Sequence, residues 1–152
     1  MAQMKLLVAL LVSFYLIAPL AQATDVKYCD TQKNYLVKVN GLDIDPNPVV
    51  RGKPATFKIS ATTDTPLSGG KLVVDVSYFG LHIHSEDHDL CTETSCPVSI
   101  GDFVVSHSQV LPGFTPPGTY KLTMKMNDEN GHQLTCINFS FSIGLGSSVA
   151  DS

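Results

Sequence analysis

The sequence contains 152 residues, a length typical of one domain, and is 43% hydrophobic and 16% charged, with no tryptophan. So few charged residues exclude a charge-rich disordered chain or a long coiled coil. Because 14 acidic residues outnumber 10 basic ones, the chain lacks the positive charge of proteins that track nucleic-acid phosphates. We therefore expect no nucleic-acid partner.

The N-terminal segment has the pattern of a secretory signal peptide. Lys5 precedes an apolar run over residues 6–20, and Ala21-Gln22-Ala23 is a small-x-small cleavage pattern. The alternative is a membrane anchor, but the run is shorter than the ~20 residues that span a bilayer, and a cleavage site follows it. The sequence therefore predicts secretion, with residues 1–23 removed.

The rest of the chain predicts one domain over residues 24–143 and a short flexible tail over residues 144–152. Four stretches alternate apolar and polar residues with period two, which is typical of strands with one buried face. The residues expected to face inward are Ala55, Phe57, Ile59, Ala61, Leu72, Val74, Val76, Tyr78, Tyr120, Leu122, Met124, Met126, Ile137, Phe139, Phe141 and Ile143.

Three further stretches show weaker alternation. They cover residues 35–45, 81–84 and 103–110, and the first breaks its parity at Gly41, which indicates a β-bulge. Turns rich in proline and glycine separate the stretches. About seven short strands in this length predict an all-β fold, a single immunoglobulin-like antiparallel β-sandwich.

The four cysteines all lie after the predicted signal peptide, so disulfides are expected in a secreted chain. Three pairings are possible. Cys91 and Cys96 have a spacing that suits a local clip across a tight loop, and Cys29 and Cys136 would then join the first and last strands. A zinc site is the alternative, but one C-x₄-C pair without a second close pair is weak support for it.

Three histidines, His82, His84 and His88, lie among acidic residues. On a strand, His82 and His84 would share a face and form a possible metal pair. The alternative is a solvated outward face followed by an acidic loop before Cys91. Because two imidazoles on one strand lack a fixed third ligand, we expect no specific metal site and no cofactor.

No motif for catalysis accompanies the abundant Ser, His and Asp residues. The sequence lacks G-x-S-x-G, H-E-x-x-H and a phosphate-binding loop, so we expect a protein that is not an enzyme. Asn138-Phe139-Ser140 is an N-glycosylation sequon. Since Asn138 alternates with the inward Phe139, we expect it to face solvent and to be able to carry a glycan.

The order of these features resembles the MD-2-related lipid-recognition (ML) family. The resemblance is to the Niemann–Pick type C2-like sterol carriers, their plant relatives and the phosphatidylglycerol/phosphatidylinositol transfer proteins. It rests on Cys91…Cys96-Pro97, Val110-Leu111-Pro112, Gly118-Thr119-Tyr120, the turn at residues 127–131 and the terminal strand with Cys136. One departure is the absence of cysteine from residues 43–50, where animal family members have a third disulfide.

The resemblance implies a sandwich whose sheets separate to hold one lipid, and disulfides Cys29–Cys136 and Cys91–Cys96. It also implies a portal bordered by Ile83, shortly before the C-x₄-C pair, and by Phe114, in the loop after the Leu-Pro step. The residues expected to line the lipid cavity are Phe57, Ile59, Val74, Val76, Tyr78, Leu122, Met124, Met126, Ile137, Phe139 and Phe141.

The function implied is that of a monomeric carrier of one sterol or phospholipid. It would act outside the cell or in the vacuolar or endosomal lumen. It would touch membranes transiently and pass its lipid to another membrane or to a protein receptor. Lipid sensing in stress or defence is a further implied role. The alternative is a secreted immunoglobulin-like interaction module whose inward residues pack a filled core.

Overall fold

The computed structural model describes residues 24–144. The predicted signal peptide and all but the first residue of the predicted tail lie outside the described residues. Within residues 24–144, no helix is long and apolar enough to cross a membrane.

Eight strands and one short helix, α1, make up the domain. The strands are β1 (Lys27–Tyr28), β2 (Val37–Asp45), β3 (Pro54–Thr63), β4 (Lys71–Tyr78), β5 (Leu81–Asp89), β6 (Gly101–Val110), β7 (Gly118–Asn127) and β8 (Gln133–Ile143), and α1 (Leu90–Glu93) lies between β5 and β6. They form a five-stranded sheet in the order β1-β8-β7-β4-β5 and a three-stranded sheet in the order β2-β3-β6. All neighbouring strands are antiparallel. The predicted antiparallel sandwich is therefore confirmed.

The core lies between the two sheets and follows the predicted alternation. All sixteen residues expected to face inward are buried except Val76 and Tyr78, which are half-buried at one end of β4. Burying a large aliphatic or aromatic side chain contributes about 1.5–3 kcal/mol. The predicted break in β2 is also present, because the pairing with β3 shifts between Val39 and Gly41.

Strand β5 differs from its prediction. The sequence predicts a strand that ends near His84 and an acidic loop, whereas the strand continues to Asp89. A register shift in its pairing with β4 places His84 opposite Val76 but His82 opposite Ser77. Since cross-strand partners share a face, the two histidines point to opposite faces of the sheet, and the prediction of a shared face was wrong.

Two disulfides close loops of very different length. Cys29 is bonded to Cys136, 107 residues away, which fixes β1 against β8. Cys91 is bonded to Cys96, five positions further on, and ties α1 to the loop that leads to β6. This is the pairing that the family resemblance implies.

Removing the long disulfide should cost more stability than removing the short one. In the chain-entropy model, a closed loop of this length contributes about 5 kcal/mol, and the short loop contributes about 2 kcal/mol. We expect urea unfolding of Cys29→Ala/Cys136→Ala to show a loss about 3 kcal/mol larger than that of Cys91→Ala/Cys96→Ala. Equal losses in the two double variants would contradict the assignment of β1 as the strand that this bond holds in place.

Candidate functional site

An apolar cavity opens along one edge of the sandwich. Strand β5 is the edge of the five-stranded sheet and β6 is the edge of the three-stranded sheet, and neither is paired on its outer side. Between them, near the start of β5 and the end of β6, lies a cavity of about 490 Å³. Its lining residues are Val76, Tyr78, Ile83, His84, Glu86, Gln109, Val110, Leu111, Pro112, Phe114, Thr115, Pro116, Tyr120 and Phe141. This volume falls within the roughly 300–1,000 Å³ of small-molecule sites.

Stacked aromatic rings form the inner wall of the cavity. The ring of Tyr120 lies 4.4 Å from the ring of Tyr78 and 5.5 Å from that of Phe141, nearly parallel to both. These residues come from β4, β7 and β8, which are adjacent in the sheet. Three neighbouring strands thus present one continuous apolar surface to anything that occupies the cavity.

Hydrogen bonds attach the loop after β6 to this aromatic wall. The Tyr78 hydroxyl donates to the Pro117 carbonyl at 3.1 Å, and the Tyr120 hydroxyl donates to the Pro116 carbonyl at 2.7 Å. Burial, and secondarily the neighbouring Tyr78, raise the pKa of Tyr120 above its ordinary value, so its hydroxyl stays a donor. The loop tip, Phe114, is nevertheless 86% exposed.

A polar strip borders the cavity on the side of β5 and β6. Glu86 accepts from His84 at 2.6 Å and from the amide of Gln109 at 3.4 Å. The bond from His84, the largest cause, and then the bond from His88 lower the pKa of Glu86 to about 2. A lowered carboxyl pKa stabilises the fold above about pH 4.5, and this contribution is lost as the pH falls towards 2.

The predicted cavity residues divide into three groups. Val76, Tyr78 and Phe141 line the open cavity. Phe57, Val74 and Leu122 border only a deeper void of about 20 Å³ that extends it inward. The remaining residues lie in the hydrophobic core between the sheets, and they are Ile59, Met124, Met126, Ile137 and Phe139.

Both predicted portal residues lie at the cavity. Ile83 and Phe114 line it from β5 and from the loop after β6, and both are exposed. Their position agrees with a portal, and contact of these residues with a lipid stays a prediction.

The sequence reasoning missed the aromatic residue next to this opening. Phe79 and Gly80 form the two-residue turn between β4 and β5, with φ of 50° and 77°. Two positive φ angles are typical of a type I′ hairpin, but a bulky residue seldom occupies such a position. The Phe79 ring is 85% exposed and lies 4.4 Å from the cavity-lining Tyr78. In the sequence, the signal for this exposed ring is a large apolar residue directly before the glycine of a tight turn.

Asn138, the predicted glycosylation site, lies within β8, between β1 and β7. It is half-buried rather than fully exposed, and its side-chain oxygen accepts from the Thr123 hydroxyl at 2.6 Å. Glycosylation of Asn138 stays a prediction.

Comparison with known families identifies this architecture. The family model described as ML domain matches residues 23–143. The chain belongs to the ML domain family. The match covers the whole of the described sandwich apart from Gly144, so the cavity at its open edge is part of an ML domain.

Curated relatives of this ML domain are named as lipid-transfer proteins. A Dictyostelium discoideum protein is 31% identical over 139 residues, which cover 89% of this chain and 95% of the relative. Its name assigns it, provisionally, to the phosphatidylglycerol/phosphatidylinositol transfer proteins. The phosphatidylglycerol/phosphatidylinositol transfer protein of Candida albicans is 25% identical over 133 residues, 84% of this chain and 69% of its own length.

Solved structures share the fold of this ML domain at low sequence identity. A Niemann–Pick type C2 protein from the Japanese carpenter ant has a TM-score of 0.54 and 11% identity, covering 80% of this chain and 91% of its own. Chicken MD-1, solved in complex with lipid IVa, has a TM-score of 0.53 and 16% identity, covering 79% of this chain and 88% of its own.

The hydroxyl of Tyr120 should control the mobility of the loop beside the cavity. Tyr120→Phe removes the bond to the Pro116 carbonyl, which should cost about 1 kcal/mol of stability. We also expect faster hydrogen exchange at the Thr115 amide, which donates to the Pro112 carbonyl within this loop. Tyr28→Phe is the matched control, because the Tyr28 hydroxyl accepts from the Val39 amide at 2.9 Å, in another part of the fold. Equal exchange at Thr115 in both variants would contradict the role of Tyr120 as a loop anchor.

Proposed function

We propose that this ML domain binds one lipid, a sterol or a phospholipid, in the cavity at its open edge and transfers it between membranes without any covalent step. The observation that carries the proposal is a cavity of about 490 Å³ with an aromatic inner wall, opening beside exposed apolar side chains. Burial of apolar lipid surface at ~25 cal/mol per Å² would offset removal of the lipid from its bilayer. The curated relatives named as lipid-transfer proteins support the same function.

The ligand would occupy the cavity in a defined direction. Its apolar part would contact the stacked rings of Tyr78, Tyr120 and Phe141, which offer no charge. Its polar end would lie beside His84, Glu86 and Gln109, the polar groups of the lining on the side of β5 and β6. Since an ionised carboxylate repels anions, this edge favours a headgroup that presents hydroxyl donors over one that presents a bare phosphate.

The rim of the cavity would make the transient membrane contact. Phe79, Leu81, Ile83 and Phe114 are all exposed, although large apolar side chains are costly in water. Phe79 holds a conformation with positive φ, which costs a bulky residue free energy, and membrane contact by its exposed ring would be a use that retains it. Together these residues would enter the bilayer interface and place the cavity mouth against the lipids.

The two disulfides fit the oxidising secretory pathway that the N-terminal pattern predicts. We propose secretion or delivery to a vacuolar or endosomal lumen, and a monomer as the active form. The second candidate function is an interaction module with a filled core. The specific observation in its favour is the closely packed core that contains Met124 and Phe139, together with the small size of the void beside Phe57 and Leu122, about 20 Å³.

One pair of variants distinguishes the carrier from the filled module. Val76→Phe places a ring in the open cavity, so we expect fluorescent-sterol or phospholipid affinity to fall at least tenfold, with stability nearly unchanged. Ile59→Phe is the matched control, since it enlarges a side chain in the closed core and should cost about 1–3 kcal/mol. Both are measured on delipidated protein, and mass spectrometry of the wild-type protein's lipid extract should find about one lipid per chain. If the wild type yields no lipid and Val76→Phe destabilises as Ile59→Phe does, the carrier function is wrong.

The rim residues should act on transfer more than on binding. We expect Phe79→Ala and Phe114→Ala to slow lipid transfer between vesicles several-fold and to change the equilibrium affinity less, because residues at an opening act mainly on entry and exit. Ile100→Ala is the matched control, since Ile100 is 67% exposed but precedes β6, at the end of that strand away from the cavity-lining Val110. An equal effect of Ile100→Ala would show that exposed apolar area in general, rather than the rim, sets the rate.

A further inference from the structure

Beyond the cavity, the open edge of the sandwich contains a cluster of imidazole and carboxylate groups. Glu86 and His88 come from β5, His107 comes from β6, and Glu93 comes from α1. The Glu86 carboxylate lies 2.9 Å from His88 Nε2, and the side chain of His107 is only 2% exposed. One potential ligand atom from each of Glu86, His88 and His107 lies within 4.8 Å of the other two.

Glu93 lies against both imidazoles. Its Oε1 atom lies 3.2 Å from Nδ1 of His107, within hydrogen-bond distance, and 3.6 Å from Nδ1 of His88, which is too long for a hydrogen bond. Because a carboxylate only accepts hydrogen bonds, Nδ1 of His107 is suited to carry the hydrogen of its ring, which leaves its Nε2 with a lone pair when the ring is neutral. A carboxylate that orients imidazoles through Nδ1 is the usual outer partner of a metal-binding histidine.

The lone pair on Nε2 of His107 lacks a donor. It lies 3.2 Å from the side-chain oxygen of Gln109, whereas Nε2 of His88, 2.9 Å from Glu86, donates to that carboxylate. The Gln109 amide nitrogen is directed at Glu86, 3.4 Å away, so the glutamine presents its oxygen to His107. With a neutral ring, an acceptor therefore faces an acceptor at Nε2 of His107, and a cation bound there removes the conflict. At His88 the cation would take the place of the hydrogen on Nε2, which now points at Glu86.

We infer that Glu86, His88 and His107 form a zinc site that fastens β5 to β6 at the open edge of the sandwich. Two imidazole nitrogens and one carboxylate oxygen are ligands that Zn²⁺ prefers, and a fourth position stays available for water or for the Gln109 oxygen. Zinc bonds of about 2.1 Å in a tetrahedral arrangement separate the ligand atoms by about 3.4 Å. The three candidate ligand atoms lie within 4.8 Å of one another, so binding would draw them together by at most about 1.4 Å.

This site differs from the pair of His82 and His84 that the sequence suggests as possible metal ligands. His82 lies on the outer face of β5, where it pairs with Asp75 at 3.4 Å, so it is not part of the cluster. His107 supplies the third ligand that the sequence could not place, because it comes from the other sheet. Since Glu86 also lines the cavity and His107 borders its inner void, the metal would fix one wall of the lipid site.

Calorimetric titration of delipidated wild-type protein with ZnCl₂ at pH 7.5 tests the inference directly. We expect one Zn²⁺ per chain with a dissociation constant below about 1 μM, and a rise in the melting temperature on adding zinc. His88→Gln should weaken binding by more than about 100-fold, and Glu93→Gln, which removes only the outer partner, by about 10–100-fold. His82→Ala is the matched control on the same strand and should bind zinc as the wild type does.

A second measurement on the wild type alone covers the case in which a variant does not fold. In the nuclear magnetic resonance spectrum, the ring signals of His88 and His107 should shift on adding one equivalent of ZnCl₂, whereas those of His82 and His132 should not. The absence of stoichiometric binding would show an ion-pair network only and would overturn the inference. Loss of binding in His82→Ala equal to that in His88→Gln would overturn it as well, because zinc would then bind the outer surface. Neither outcome affects lipid binding, which is measured separately.

Discussion

At one edge of this sandwich, the outermost strands of the two sheets lie near each other without forming hydrogen-bonded pairs. Strands β5 and β6 each pair on one side only, so side chains alone span the gap between them. On the opposite side of the sandwich, main-chain bonds connect the sheets, as where the Val49 amide donates to the Ser142 carbonyl at 2.8 Å. Side-chain contacts separate at lower cost than a strand ladder. The β5–β6 edge is therefore where the sandwich can admit a ligand.

The chemistry of that edge changes along its length. Near α1, Glu86, His88, His107 and Glu93 connect the sheets through charged and polar contacts, which keep them close together. Towards the turn between β4 and β5 the bridging groups are apolar, and there the cavity opens. Polar contacts are directional and hold one geometry, whereas apolar contacts tolerate rearrangement. The polar end of the edge thus holds the two sheets in one geometry, and the cavity lies at the apolar end.

The fold was predictable because one face of most strands is uniformly apolar, so the period-two pattern of Phe57, Ile59 and Ala61 identifies the core directly. The candidate site was less predictable, because its residues break that pattern. His107 and Gln109 continue the inward parity of Phe103 and Val105 on β6, and this parity was a usable signal that the sequence analysis did not follow. The size of the cavity could not be predicted at all, since it depends on the separation of the sheets rather than on any one strand.

The register shift in β5 explains why its polar residues face the interior. Leu81 pairs with Tyr78, which lines the cavity, and Leu90, just after the strand, is fully buried. Their positions differ by nine, and in a regular strand an odd difference puts two side chains on opposite faces. The register shift beside Ile83 adds one residue to β5, which corrects the facing between the two ends of the strand. As a result His84, Glu86 and His88 face inward, whereas in a regular strand Ser85 and Asp87 would do so. The polar cluster of the open edge thus follows from this register shift, which decides which residues of β5 face inward.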